Sequence, residues 1–533
     1  MTRPITKSRA FTPIAVCVSF IAIVAAAQWL RGPLYYPQLI LEARQDLRLE
    51  FLQEGLQKEE DCEAASAAMA EAARLSCPAC RVVAQQCLAG PDPARERLLS
   101  DAPIGVPSSR LPHGVVSYVS HDQQLALDAC RETERLSGGT QGYRAACFAP
   151  ESARPLPGST REIGLAQLAI GLLALLASGM AAAFAGALIL RYRALHARWS
   201  MDPVEAAPQK SHATPTPRIG GLCVIAGLLV SEISLYATGQ SGTREIFGGL
   251  LLAGAPAFLV GFAEDATKRV SVAARLLLTM LAAAAGAWLV GAVIPRLDVP
   301  GLDTLLKWSP FAIAFTAFAV CGVTHSINII DGYNGLAGGV ALVALAAMAW
   351  VSALLGDGFL LVCALAMIGA LLGFLVWNYP KGKIFLGDGG AYLVGFWLGE
   401  LSVLIVVRHP EVSPWFPLLA LVYPIFETVF SIYRKKVLKG LSPGQPDGLH
   451  LHHLIYRRLA RDAPAAADPA AATRRNNRVA PFGVLIALLC AVPAVLLWRE
   501  TVWLVAASLL LCAAYLWLTL RLTLGEGAAA GRA

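Results

Sequence analysis

The chain has 533 residues, of which 56% are apolar and only 15% are charged, and its formal net charge at pH 7 is +7. Soluble globular domains of this length carry more charge, so the composition excludes that class and indicates that lipid is the solvent. The predicted fold class is an all-α polytopic membrane protein.

Apolar runs of the length that crosses a bilayer, about 17 to 25 residues, recur along the chain. Lys and Arg concentrate in alternate connections, so the positive-inside rule places both termini in the cytoplasm. The first run ends in Trp29, Leu30 and Arg31 and lacks a small-residue cleavage site, which favours a retained anchor over a signal peptide. The sequence predicts about twelve transmembrane helices, at 13–30, 163–190, 219–238, 246–263, 273–294, 308–327, 335–355, 358–378, 390–407, 413–432, 480–497 and 501–522.

A long polar segment separates the first two apolar runs, and the predicted topology places it outside the cytoplasm. The sequence therefore predicts four parts. These are a cytoplasmic tail with a membrane anchor at 1–30, a small cysteine-containing extracytoplasmic domain at 31–162, a multi-pass domain at 163–522 and a cytoplasmic tail at 523–533.

The outer segment has mixed periodicity. Residues 38–75 predict one or two amphipathic helices, the run from Gly114 to Ser120 alternates as in a strand, and a further helix is expected near 122–136. An even number of cysteines in an oxidising compartment predicts up to three disulfides. The six cysteines of this segment are Cys62, Cys77, Cys80, Cys87, Cys130 and Cys147.

Cys77 and Cys80 form a Cys-Pro-Ala-Cys sequence whose spacing also suits a redox pair or half of a metal site. A structural disulfide is preferred, because the flanking run is rich in Ala and Glu and predicts a helix rather than the strand that thioredoxin-like chemistry needs. The remaining six cysteines lie in or beside apolar runs, where a thiol usually behaves as a small hydrophobic group.

Polar groups at membrane depth are costly, so those retained beside apolar runs are functional candidates. They cluster on one predicted side. Lys210, His212 and Arg218 precede the third run and suit an anion, although an ordinary basic loop is the alternative. Glu264 and Asp265 end the fourth run, where adjacent carboxylates suit proton abstraction or a metal-bound phosphate, with a solvated helix end as the alternative.

The connection after the sixth run carries Asn328, Asp331 and Asn334 among glycines. Nothing basic in this segment neutralises Asp331, so a structural role explains it poorly and a functional role is favoured. The connection before the ninth run carries Asn378, Lys383 and a single Asp388 between glycines.

Asp388 has the character of a magnesium ligand, since Mg²⁺ takes one or two carboxylates together with substrate phosphate oxygens. Glycine N–H groups cradle phosphates, and Lys383 supplies a point charge for one. A helix N-cap is the alternative for Asp388.

The long inner connection contains His450, His452 and His453. Three histidines in four residues are compatible with a zinc site, with phosphate binding or with a chance occurrence that has no function. Adjacent histidines do not easily face one tetrahedral metal, so contact with an anion or a nucleotide is preferred. Together, the glycines, cations and carboxylates on one side indicate phosphoryl-group chemistry at a membrane surface.

These motifs, taken in order over 163–522, resemble the polyprenyl-phosphate N-acetylhexosamine-1-phosphate transferase family, also called glycosyltransferase family 4. The His-x-His-His element at 450–453 is similar to that of the glycan-initiating undecaprenyl-phosphate branch, rather than the peptidoglycan-precursor branch. The resemblance implies that Asp388 binds the metal and that Glu264 and Asp265 form the family's carboxylate pair. It also implies that Asp331 is the third-loop aspartate, which binds the metal or the nucleotide.

The same resemblance implies that Asn328 and Lys383 contact the substrate. Two positions depart from the family pattern. Glu264 stands where many members have Asp, and Asn334 stands where many have a second Asp, which leaves Asn334 as a polar contact at most. The segment 1–162 lies outside the family pattern.

The activity implied is transfer of a sugar-1-phosphate from a UDP-sugar to undecaprenyl phosphate, with release of UMP and initiation of a surface glycan such as O-antigen of lipopolysaccharide. The implied cofactor is Mg²⁺, with Mn²⁺ as the alternative. The implied partners are the UDP-sugar, the lipid phosphate and the bilayer, with no nucleic acid and the oligomeric state left open. The implied location is the bacterial inner membrane with a cytoplasmic active site.

Two alternatives belong to other classes. A transporter or flippase of an anionic or lipid-linked solute is disfavoured, because transporters place polar groups near the bilayer midplane and show internal repeats. A catalytically inactive scaffold is disfavoured by the intact Asp265, Asp331 and Asp388.

Overall fold

The structure is a computed structural model that forms two compact units, Met1–Arg161 and Glu162–Ala533. It describes residues 35–44, 47–53, 56, 58–76, 80–89, 108–111, 114–119, 126–132, 147–148, 165–202, 215–237, 241–442, 448–461 and 469–530. The predicted anchor at 1–30, together with Lys210 and His212, lies outside these residues.

The first unit contains a six-stranded antiparallel sheet with strand order β3-β1-β2-β5-β4-β6. A helix, Glu59–Ser76, lies against this sheet, and its Ala70 packs with Leu39 and Leu41 of β1 in a small buried cluster. The strands are β1 Tyr35–Arg44, β2 Leu47–Gln53, β3 Arg81–Ala89, β4 Ser108–Leu111, β5 Gly114–Val119 and β6 Cys147–Phe148.

The helices predicted at 38–75 are wrong as far as residue 53, where the structure has β1 and β2, and are confirmed beyond it by the helix Glu59–Ser76. The run from Leu47 to Phe51 alternates apolar and charged residues with a period of two, which is the strand pattern, and β2 pairs with both β1 and β5. The predicted strand at Gly114 is confirmed as β5, and a helix covers 126–132.

Disulfides hold this unit together, as predicted. Cys62 of the helix is bonded to Cys87 of β3, and Cys80 and Cys130 also belong to disulfides. A disulfide-bonded Cys80 is not a metal ligand, which removes the metal alternative for it, whereas Cys77 lies outside the described residues. Of the cysteines in apolar runs, Cys223, Cys321, Cys363, Cys490 and Cys512 belong to no disulfide.

The second unit is a bundle of apolar helices, so this chain is a multi-pass membrane protein. Among the described residues, nine helices are long and apolar enough to span a bilayer, and Gly221–Ala237 is a shorter apolar helix. The long helices are Leu165–Arg191, Ser241–Thr267, Val272–Leu289, Ser309–Ile330, Leu336–Leu354, Gly358–Asn378, Gly387–Arg408, Val479–Leu496 and Thr501–Ala530.

One predicted run of this unit is wrong. The run at 413–432 is not one helix but two, Trp415–Ala420 and Val422–Tyr433. Pro424 has no N–H for the carbonyl of Ala420 and its ring crowds that carbonyl, which ends the first helix there. The last helix continues to Ala530, and its part that is long and apolar enough to span a bilayer, Thr501–Leu524, confirms the run predicted at 501–522.

The helix Gly387–Arg408 lies at the centre of the bundle and is buried along nearly its whole length. Trp397, near its middle, is fully buried, donates a hydrogen bond to the carbonyl of Cys363 and meets the ring of Phe247 edge-on. This central packing fixes the N-terminal turn of the helix, where Asp388 lies.

Candidate active site at one end of the helices

Asp388 is the point at which four segments meet. Its Oδ1 accepts hydrogen bonds from Asn328 Nδ2 at 3.0 Å and Arg218 Nη2 at 3.4 Å. Its Oδ2 accepts one from Arg275 Nη1 at 3.0 Å. The Asp388 side chain is 11% exposed, so this carboxylate is held by two guanidinium groups and one amide in a largely desolvated place.

Asp265 supports Asp388 from the neighbouring helix Ser241–Thr267. Its two carboxylate oxygens accept the backbone N–H groups of Asp388 at 3.0 Å and Gly389 at 2.9 Å. These are N–H groups of the first helical turn, which have no partner within their own helix. Asp265 therefore caps the helix Gly387–Arg408 from outside, and the N-cap alternative for the Asp388 side chain is wrong.

Two glycines allow this close approach. Gly387 has φ +75°, and a Cβ on it would stand 2.5 Å from Asp265 Oδ2. A Cβ on Gly261 would stand 2.5 Å from the amide nitrogen of Gly389. Any larger residue at either position would push the two helices apart, so the glycines beside Asp388 position the capping carboxylate.

Arg218 links several carboxylates at once. Besides Asp388, its guanidinium lies 3.6 Å from Asp265 Oδ1 and 3.9 Å from Asp202 Oδ1. Burial alone would lower the pKa of Arg218, but Asp265, Asp388 and Asp202 raise it above the ordinary value, with Asp331 adding to them. Arg218 is thus charged and shared rather than dedicated to one partner.

Asp331 is the C-cap residue of the helix Ser309–Ile330, where the partial charge of the helix end is already negative. Burial raises the pKa of Asp331 to about 7, Arg218 opposes that rise, and Asp388 and Asp265 add to it. A carboxyl whose pKa is raised by burial and by neighbouring carboxylates is typical of a functional site rather than of a stabilising ion pair.

The three histidines lie side by side at the start of the helix Leu451–Arg461 and are all buried. His450 and His452 stack with ring centroids 5.3 Å apart, and His452 and His453 are 4.5 Å apart. His453 Nδ1 is hydrogen-bonded to Tyr333 Oη at 2.8 Å, which brings the cluster against the loop after Asp331. Burial lowers the pKa of His452 well below its ordinary value, with His453 and His450 acting in the same direction.

Four other predicted site residues have their own partners. Asn378 Oδ1 accepts a hydrogen bond from the N–H of Gly335 at 2.7 Å, and its Nδ2 donates one to the carbonyl of Ile384 at 2.8 Å. Asn334 is tied to Asn476 and Asn477. Glu264 accepts the N–H of Val270, and Lys383 Nζ lies 5.5 Å from the Trp377 ring. Asn378 and Asn334 brace the loops around the site. The substrate contacts predicted for Asn334, Asn378 and Lys383 and the catalytic role predicted for Glu264 stay predictions.

Three residues that the sequence analysis missed take part in this region: Asp202, Arg275 and Glu427. Arg275 and Glu427 lie inside runs that were recognised as transmembrane, and a charged residue in such a run is itself a signal of function. Asp202 had no such signal. It reaches Arg218 because the two-residue strand Met201–Asp202 pairs with Thr216–Pro217.

Known proteins resemble this chain over the segments that carry Asp265, Asn328 and Asp388. The sequence model of the family described as Glycosyl transferase family 4 matches residues 247–406. An undecaprenyl-phosphate alpha-N-acetylglucosaminyl 1-phosphate transferase of Salmonella typhi is 30% identical over 262 residues, which cover 47% of this chain and 67% of that protein. This chain belongs to glycosyl transferase family 4.

Other relatives of this family 4 transferase bear similar names. The enzyme of the same name from Escherichia coli K12 is 29% identical over 262 residues, covering 47% of this chain and 67% of its own. A decaprenyl-phosphate N-acetylglucosaminephosphotransferase of Mycolicibacterium smegmatis is 31% identical over 285 residues, with coverages of 46% and 66%. The transporter alternative finds no support in these relatives.

The family match takes in Asp265, Arg275, Asn328, Asp331 and Asp388. It takes in neither Arg218 nor the histidines, so the structure, rather than the family match, places Arg218 on Asp388.

The family implies Mg²⁺, and the residues present fit it. Asp388, Asp331 and the side-chain amide of Asn328 offer hard oxygen donors, which Mg²⁺ prefers, and it needs only one or two protein carboxylates besides phosphate and water. In the part of the chain that the structure describes, no group of three or more His, Cys, Asp and Glu side chains converges on one metal position.

Proposed function

We propose that this protein transfers an N-acetylhexosamine-1-phosphate, with N-acetylglucosamine-1-phosphate as the first choice, from its UDP-sugar to undecaprenyl phosphate. The observation that carries the proposal is the junction at Asp388, where Arg218, Arg275 and Asn328 converge on one carboxylate at the ends of apolar helices. The names of the relatives support the choice of sugar and lipid.

In the proposed reaction, an oxygen of the lipid phosphate attacks the β-phosphorus of the UDP-sugar. A bond forms between them, the bond from the β-phosphorus to the bridging oxygen breaks, and UMP leaves. Negative charge spreads over the phosphate oxygens in the transition state, so positioned cations supply most of the stabilisation. Arg218 and Arg275 are the cations that already lie at the site, and bound Mg²⁺, held by Asp388 and Asp331, would neutralise further phosphate charge.

Asp265 receives a positioning role in this proposal. Both of its oxygens already accept N–H groups of the helix that carries Asp388. A phosphate monoester has its second pKa near 6 and is largely dianionic at neutral pH, so the attacking lipid phosphate needs no general base. Proton removal by Asp265, expected from the sequence, is therefore unnecessary in this mechanism.

The histidines are proposed to contact the diphosphate or the nucleotide. They lie against the loop that follows Asp331, through Tyr333, and so border the carboxylate cluster. The positive-inside rule supports a cytoplasmic site in a bacterial inner membrane. Initiation of a surface glycan is the corresponding pathway role.

The direct test uses the purified full-length chain in detergent with Mg²⁺, a short polyprenyl phosphate, and a panel of UDP-N-acetylhexosamines, UDP-glucose and UDP-galactose. We expect UMP release that requires both substrates, is abolished by EDTA and is fastest with UDP-N-acetylglucosamine. UMP release that is equally fast without the lipid phosphate would show hydrolysis instead of transfer. No UMP from any donor would overturn the proposal.

A further inference from the structure

Glu427 is a fully buried carboxylate that the mechanism above does not use. It lies in the helix Val422–Tyr433 and is 0% exposed. His450 Nδ1 lies 2.9 Å from its Oε1, the backbone N–H of Leu451 donates to its Oε2 at 3.2 Å, and the Tyr515 hydroxyl donates to Oε2 at 2.5 Å. One carboxylate thus joins three segments that are far apart in sequence.

These contacts fix both the ring and the backbone of His450. A carboxylate that accepts the Nδ1 proton sets the tautomer and the orientation of an imidazole. The bond to the N–H of Leu451 holds the first turn of the helix Leu451–Arg461, where N–H groups need an outside acceptor. The other ring nitrogen of His450, Nε2, takes no part in these contacts.

The two neighbouring histidines are held differently. His453 Nδ1 is bonded to the Tyr333 hydroxyl, and His452 Nδ1 is buried with no hydrogen-bond partner. Within the part of the chain that the structure describes, His450 is the member of the cluster that is paired with a carboxylate. The titratable groups that face this pair are Tyr423 and Tyr515 beside Glu427, and His452 and His453 beside His450.

We propose that Glu427 is a positioning residue that holds His450 with its Nε2 presented to the phosphate groups of the substrate, and that Tyr515 keeps Glu427 in place. This inference rests on the proposed function. It distinguishes His450 from two histidines that the sequence presents as equivalent, because His450 is the ring that Glu427 orients.

The test compares Glu427→Gln, Glu427→Asp, Tyr515→Phe and His450→Gln with the double variant E427Q/H450Q in the UMP-release assay on purified full-length protein. Glu400→Gln is the matched control, because Glu400 is also 0% exposed and lies in the helix Gly387–Arg408, where its side chain faces Gly286. We expect E427Q to lower kcat/KM about 10- to 100-fold, the usual cost of removing the partner that orients a histidine. Tyr515→Phe should cost only a few-fold, and E400Q should be close to wild type.

The double variant separates positioning from a general structural role. If Glu427 acts through His450, E427Q/H450Q loses no more activity than H450Q alone, whereas independent effects multiply. E427D, which keeps the charge on a shorter side chain, should recover part of the loss. Multiplying effects, or an E427Q variant as active as wild type, would overturn this inference alone, while a wild-type protein that releases no UMP would overturn it together with the proposed function.

Discussion

The two ends of the helix bundle both carry buried charge, but they arrange it in different ways. At the end opposite the site, Asp357 accepts hydrogen bonds from Arg408 at 2.6 Å and from His409 at 2.8 Å and also caps the helix Gly358–Asn378. Burial alone would raise the pKa of Asp357, yet His409 and Arg408 hold it well below its ordinary value. This carboxylate has cations dedicated to it.

At the site end the cations are shared among more carboxylates. Arg218 lies near Asp202, Asp265 and Asp388, and the pKa of Asp331 is raised to about 7 instead of lowered. Carboxylates that crowd together and share arginines lower the stability of the folded state. A bound cation relieves their repulsion, and a bound phosphate pairs with the arginines. The ion pairs of the far end therefore hold the helices together, whereas those of the site end are arranged for a ligand.

The largest effect on stability is expected at the far end, from Asp357→Asn. This change leaves Arg408 and His409 without their buried partner, and breaking such a pair costs about 3 kcal/mol or more. Because the folded-state pKa of Asp357 is depressed, its contribution is present above about pH 4 and is lost as the pH falls further. Thermal unfolding at neutral pH should show a clearly lower Tm, while UMP release per folded molecule stays close to wild type; a folded but inactive variant would break the comparison.

The next effect is expected at Arg275, which the family match covers but the sequence analysis missed. Arg275→Met keeps the length of the side chain and removes its charge from Asp388 Oδ2. Loss of one preorganised donor to a phosphoryl transition state costs about 10²- to 10³-fold in kcat. Arg499→Met is the matched control, since Arg499 stacks on Trp498 at the far end and should retain full activity. Equal activity of the two variants would exclude Arg275 from the site.

The smallest expected effect is the contribution of Asp331 to the pH dependence of Tm. Its folded-state pKa of about 7 lies above the unfolded value of about 3.9, so its ionisation weakens the folded state as the pH rises from about 4 through 7. Asp331→Asn removes this dependence. In EDTA, the Tm of the variant minus the Tm of wild type should therefore be roughly 2 °C larger at about pH 8 than at about pH 5. A difference that moves in the opposite direction would show that Asp331 is stabilised in its charged form.

The sequence predicted the membrane-spanning helices well, because a run of apolar residues in lipid has few alternatives to a helix. It failed where a competing rule applied. Pro424 divides a run that composition alone joins, and the alternation from Leu47 to Phe51 was overlooked in a segment whose Ala-rich second half is a helix. The first failure is local backbone chemistry, and the second is an error of period.

For the site, the motifs around Asp265, Asn328, Asp331 and Asp388 were found because polar groups beside apolar runs stand out. The contacts between these residues were not predicted, since they depend on which helix ends meet. No sequence pattern shows that Asp265 caps the helix of Asp388, or that Glu427 receives the N–H of Leu451. Both contacts are long-range and are set by the packing of the bundle.

The measurement that tests the central claim most directly is the UMP-release rate of Asp388→Asn beside wild type, with UDP-N-acetylglucosamine, undecaprenyl phosphate and a titration of Mg²⁺. The amide keeps the shape of the side chain and removes the charge that Arg218, Arg275 and Mg²⁺ require. We predict a variant with a near wild-type Tm and a kcat about 10³-fold lower. A well-folded variant that releases UMP at the wild-type rate with unchanged Mg²⁺ dependence would contradict the account.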